Sequence, residues 1–152
     1  MINLEQFANQ EVQGMGSTEY VPVPASTDGY NGIVKKVALR DGVSDKNGEQ
    51  WIALDITWIV DDAGVREEME REEVTLRDSM FLNFTDDGRL DNGKGKNVPL
   101  NRLREATGLA DPDLAFRFSM LEGKVARIFV VHKTNKNTGA PQAEINKVAA
   151  LV

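Results

Sequence analysis

The stretch Trp51 to Val60, WIALDITWIV, constrains this chain more than any other. Ile52, Leu54, Ile56, Trp58 and Val60 fall on one side of an extended backbone, and Trp51, Ala53, Asp55, Thr57 and Ile59 on the other, because successive side chains of a strand point to opposite faces. The first set predicts a core face. The segment before it, YNGIVKKVALRDG from Tyr30, is rich in β-branched residues and closes at the turn signal Asp41-Gly42. Val37 and Leu39 share one face there and Val34 falls on the other, so a β-bulge at Lys35-Lys36 is expected to restore one core face and bend the strand.

Downstream, DDAG at Asp61 to Gly64 predicts a hairpin turn, the acidic VREEMEREE follows, and VTLRDSMFLNF reads as a third strand with Val74, Leu76, Met80, Leu82 and Phe84 inward. Asp78 shares that inward phase, which predicts a bulge or a strand end. After the polar loop DDGRLDNGKGKN, NVPLNRLREATG reads as a short helix with Asn97 as N-cap, Pro99 in the first turn, Leu100, Leu103 and Ala106 as its stripe, and Gly108 as its end. DPDLAFRFSMLEG is expected to add a turn or two of helix capped at Asp111, with Leu114, Phe118 and Leu121 on one side. KVARIFVVHK and QAEINKVAALV are the last two strands, joined by the loop KTNKNTGAP.

Three strands, a helical insert and a hairpin predict a mainly β fold, a five-stranded OB-fold-like barrel with a short helix between strands 3 and 4. A small sandwich or another α+β roll is compatible with the same order. Residues 1–29, with GMGST and two prolines, read as an arm or lead-in, and residues 30–152 as the OB-fold-like domain. With 152 residues, 41% of them hydrophobic, the chain is long enough to bury a core without staples. The absence of Cys excludes disulfides, Cys-ligated zinc, iron–sulfur clusters and cysteine nucleophiles, and a single His132 excludes His-rich metal sites. No cofactor is expected. No apolar run approaches the ~20 residues a membrane span needs, and MINLEQFANQEV lacks the features of a signal peptide, so no membrane association and a cytoplasmic location are expected.

Several motifs fall short of chemistry. GRLDNGKG, Gly88 to Gly95, approaches a phosphate-binding Walker loop, but Gly95 stands where a magnesium-binding Ser or Thr is required, and no βαβ unit surrounds it. Asp86, Asp87 and Asp91 miss the alternate-ligand spacing of a calcium loop. His132 has no activated Ser near it in sequence and reads as a satisfied, partly buried side chain at a strand end. Glu67, Glu68, Glu70, Glu72 and Glu73 read as a solvated face.

The outward phases carry more. Residues 1–92 hold 8 Lys+Arg against 19 Asp+Glu, whereas residues 93–152 hold 10 against 5, so a net charge of -6 conceals a basic C-terminal part. Trp51 lies on the polar side of the second strand, Arg77 and Phe81 on that of the third, and Arg127, Phe129 and Lys133 on that of the fourth. Rings interleaved with cations suit single-stranded nucleic acid, because flat faces stack on any base while Arg and Lys neutralise phosphates. Packing of Trp51, Phe81 and Phe129 under the arm or the helix is the alternative. Lys36, Arg40, Lys94 and Lys96 complete the candidate nucleic-acid-binding set, with Arg102, Arg104 and Lys136 adding charge nearby.

From about Tyr30 to Val148 the chain resembles phage-encoded OB-fold single-stranded DNA-binding proteins. The resemblance rests on NVPLNRLREATG, on LEGK leading into VARIFVV, and on NTGAPQAEINKV. It implies a non-enzymatic protein coating single-stranded DNA in phage replication or recombination, located in the host cytoplasm. It also implies a homodimer or cooperative oligomer and contacts with replication or recombination proteins. Many such proteins end in an acidic recruitment tail, whereas this sequence ends in KVAALV, a departure that counts against tail-mediated recruitment and leaves the acidic VREEMEREE stretch as the candidate for that role. The alternative is an OB-like or β-sandwich protein-interaction module in phage particle or complex assembly.

Overall fold

A computed structural model describes residues 1–18 and 20–151 of the chain. Glu19 of the N-terminal arm and Val152 of the terminal KVAALV lie outside the described residues. Five strands, β1 (Tyr30–Val43), β2 (Gln50–Val60), β3 (Thr75–Phe81), β4 (Val125–Thr134) and β5 (Pro141–Ala149), form one sheet in the order β3-β2-β1-β4-β5. Every pairing is antiparallel. β3 and β5 are the sheet's two edges and line a common cleft without pairing with each other.

β2 is buried as its alternation requires: Leu54, Ile56, Trp58 and Val60 are fully inaccessible, and Ile52 at the far end is partly so. Removing each such side chain from water stabilises the fold by roughly 1.5–3 kcal/mol. The expected bulge is present, with the β1–β2 register shifting between Val34 and Lys36. Past the bulge the core face of β1 runs out, because β1 meets β4 only from Tyr30 to Ile33. Val34 is buried, whereas Leu39 is 55% exposed on the same face.

The expected hairpin turn at Asp61 to Gly64 is instead the start of helix α2 (Ala63–Met69). Asp62 caps it by accepting from the Val65 N–H at 2.9 Å, and Glu70 ends it in the left-handed conformation. Val65 is buried and Met69 packs against the core, so this stretch is an amphipathic turn and not a purely solvated run. Asp78 also departs from expectation: β3 pairs with β2 through it without a register shift, opposite Ile56. A carboxylate on the inward phase is tolerated because β3 is an edge, and Asp78 faces the cleft shared with β5.

Helix α3 (Val98–Thr107) follows with the expected stripe, Leu100 and Leu103 buried, and packs against β4 and β5. Gly108 ends it at φ 78°, where an L side chain would be strained. Asn97 precedes the helix but does not cap it. Its side chain bonds instead to both backbone groups of Asn83 and to the Asp91 carbonyl, pinning the preceding loop to the end of β3. The second expected helix shrinks to a 3₁₀ turn, Phe118–Leu121. Asp111 accepts from the Asp113 N–H, closing a local turn, and Leu114 is 68% exposed.

In the lead-in, a short helix α1 (Leu4–Ala8) is capped by Asn3 and buries none of its residues. Further on the chain attaches to the sheet. Val23 is buried, the Ser26 N–H donates to the Val130 carbonyl, and the Tyr30 hydroxyl donates to the Pro24 carbonyl. No helix among the described residues is long and apolar enough to cross a membrane.

Candidate nucleic-acid interface

Register places the outward residues of β1, β2 and β3 in rows. Lys36, Thr57 and Arg77 form one row, Ala38, Asp55 and Ser79 the next, and Arg40, Ala53 and Phe81 a third, with Trp51 opposite Gly42 beyond them. Side chains one row apart on adjacent strands, offset by two residues in register, therefore meet diagonally over small ones, Ala38 and Ala53. The Trp51 and Phe81 rings pack edge to face, with centroids 5.8 Å apart and planes at 88°. The Arg40 guanidinium lies 5.3 Å from the Trp51 ring centroid, within range of a cation–π attraction.

Gly42 makes room for that arrangement. A Cβ built there would lie 2.4 Å from Cζ2 of Trp51, so the indole can lie across β1 only because the position has no side chain. Trp51 is thereby half-buried and held, whereas Phe81 is 71% exposed.

Beneath the rings, Asp55 is 7% exposed and organises the cations. It accepts from Arg40 Nε at 2.9 Å, Arg40 Nη2 at 3.2 Å and Arg77 Nη2 at 2.5 Å, and from the Ser79 hydroxyl. The Arg40 contact, then the Ser79 and Arg77 bonds, hold its carboxyl far below the usual carboxylate range against the opposing effect of burial. Both guanidinium groups keep much of their surface in water, with side-chain exposures of 48% for Arg40 and 62% for Arg77. They can therefore contact a ligand while the carboxylate fixes their position.

Four of the ten candidate residues, Arg40, Trp51, Arg77 and Phe81, thus meet in one cluster, and Lys36 lies in the adjoining row. The others stand elsewhere. On β4, Arg127 donates to the Asp28 carbonyl, Phe129 lies under the Lys147 ammonium at 5.2 Å, and Lys133 pairs with Glu144 at 3.2 Å. Lys94 and Lys96 are exposed in the loop before α3. His132 is satisfied, with Nε2 2.7 Å from the Val23 carbonyl in a part-buried bond, though the residue as a whole is exposed. Among the described residues, no three His, Asp or Glu side chains are grouped to hold a metal ion.

Sequence reasoning missed Asp55, Ser79 and Gly42. Each is unremarkable within its own strand and gains meaning only from its cross-strand partner. It also missed the cleft between the sheet edges. One part, about 750 Å³, is lined by Arg40, Arg77, Asp78 and Ser79 from one side and by Gln142 to Ile145 from the other. Burial and the nearby Glu144 push the Asp78 carboxyl up to about 6, although the Ser79 N–H bond acts against them.

Neither a protein-family model nor a curated protein matches this chain.

Proposed function

We propose that this protein binds single-stranded DNA without sequence selectivity, as an OB-fold barrel whose outer β1–β2–β3 surface is the binding face. The observation that carries the reading is the union of Trp51, Phe81, Arg40 and Arg77 in one solvent-facing cluster. Rings stack on any base and guanidinium groups neutralise phosphates between them. The Asp55 carboxylate presets both guanidinium groups, which lowers the ordering cost of binding.

The barrel reading draws on topology. The order β3-β2-β1-β4-β5, a helix between β3 and β4, and edges β3 and β5 facing one cleft match a partly open five-stranded Greek-key barrel. The resemblance of residues 97–108, 121–131 and 137–148 to phage proteins extends the reading to strand coating in phage replication or recombination, in the host cytoplasm. On that reading the protein is a binder and not an enzyme. It acts as a homodimer or cooperative oligomer alongside replication or recombination proteins. A protein-interaction role in phage assembly is the second reading, favoured by Ile2, Leu4 and Phe7, which the lead-in leaves exposed.

Titration with poly-dT, with duplex of equal length and with RNA across a range of salt concentrations tests this. Tight binding to poly-dT, weaker binding to duplex and a log–log salt slope of about -0.7 per phosphate contact are expected. Equal affinity for duplex refutes it, and a flat salt response moves the assignment to the assembly role.

A further inference from the structure

The cleft between the sheet edges does not stop beside Arg40 and Arg77. A second part of about 770 Å³ extends it between β3, α3 and β5, and the two parts share Asp78, Ser79 and Ile145 as lining. Phe81 walls this second part, and Arg102 of α3 and Lys147 of β5 line it. The seam therefore forms one trough with a cation pair at each end.

The cations differ in what already holds them. Arg127 is engaged by the Asp28 carbonyl and Lys133 by Glu144. Arg102 and Lys147 are exposed and make no ion pair among the described residues, and the Lys147 ammonium lies over the Phe129 ring. A cation without a carboxylate partner gives up less on meeting a phosphate. Asp78, common to both parts of the trough, lies between the two cation pairs, and its carboxylate repels phosphates from that span and leaves it to bases.

We infer that the bound strand continues past Phe81 along the β3–β5 seam, with its phosphates held at the far end by Arg102 and Lys147. This rests on the single-stranded DNA reading above and adds a second segment to its binding face. Neither residue holds the fold together, since both side chains are exposed.

Salt titrations of the full chain with long oligo-dT test it in three forms: wild type, Arg102→Ala/Lys147→Ala, and the charge-matched control Arg71→Ala/Lys124→Ala, whose positions do not line the trough. The first double variant should lower the magnitude of the salt slope by about 1.4, two contacts at about 0.7 each, and the control should leave it unchanged. An unchanged slope in the trough variant, with wild type binding normally, overturns the inference and leaves the binding face as proposed. An equal fall in both variants also overturns it, because it assigns the effect to net charge. If wild type itself prefers duplex or does not bind, the reading beneath it falls as well.

Discussion

Replacing Asp55 by Asn removes the charge at the centre of the cluster while keeping the shape of the side chain. Removing one member of a fully buried charged pair costs about 3–5 kcal/mol, mostly because the other charge is stranded away from water. Here the stranded groups are Arg40 and Arg77, whose side chains are 48% and 62% exposed, so water takes over much of their solvation. The amide also keeps an acceptor for Ser79 and for one guanidinium. The expected loss is therefore about 1–3 kcal/mol near neutral pH. Its pH dependence follows from the depressed proton affinity of Asp55 in the folded chain, against 3.8 for the free group. A carboxylate of that kind contributes its stability above pH 3.8 and loses it as pH falls further. Urea unfolding followed by tryptophan fluorescence should find the gap between wild type and Asp55→Asn constant from pH 7 to about pH 5 and narrowing below about pH 4. A gap that is absent at pH 7, or that persists unchanged to pH 3, refutes the role given to the charge.

Asp78→Asn should do the opposite. Because burial raises this carboxyl from 3.8 to about 6, the fold loses stability as pH rises from about 4 to 6 and keeps the full penalty above that, so the variant should gain up to about 3 kcal/mol at pH 7, less where water enters the cleft, the gain shrinking between pH 6 and pH 4. Trp51→Ala should keep the fold and weaken poly-dT binding by about 1–3 kcal/mol, read in the same titration as wild type. Trp58→Ala should cost about 3–5 kcal/mol of stability, and Trp58→Phe much less, since it also removes the buried indole N–H that has no hydrogen-bond partner among the described residues; denaturation curves of the two separate these cases. Gly42→Ala should displace the Trp51 ring, lowering affinity with little loss of stability and shifting the indole emission of Trp51.

The sequence was most informative where a signal is local. The alternation of β2, the β1 bulge, and α3 with its proline in the first turn and Gly108 at its end are written in consecutive residues. It misled where one local signal has two readings. Asp62 precedes a small residue and a glycine, which suits a turn, yet Asp is equally an N-cap, and AGVREEM is composed mostly of good helix formers with Val65 and Met69 one turn apart. The site was legible only by halves. Alternation placed Trp51, Arg77 and Phe81 outward, but that they meet depends on the offset between strands, which β2 shares with β3 through a connection of fourteen residues, 61–74. Asp55 was hidden for the same reason: its partners arrive from β1 on one side and β3 on the other.

The short join between β1 and β4 bears on how the chain gains and loses its structure. Tyr30 to Ile33 pair with Val125 to Ile128, and this four-residue ladder links the β1–β2–β3 meander to the β4–β5 hairpin. Both of those units are built from neighbours in sequence, whereas the join closes a loop nearly a hundred residues long and must wait until its ends are brought together. The meander and the hairpin are thus natural cooperative units, with the join as the late-forming and first-opening contact between them. Amide exchange should then release the protons of that ladder before those at the centre of β2, and a strand bound across both units would slow their parting.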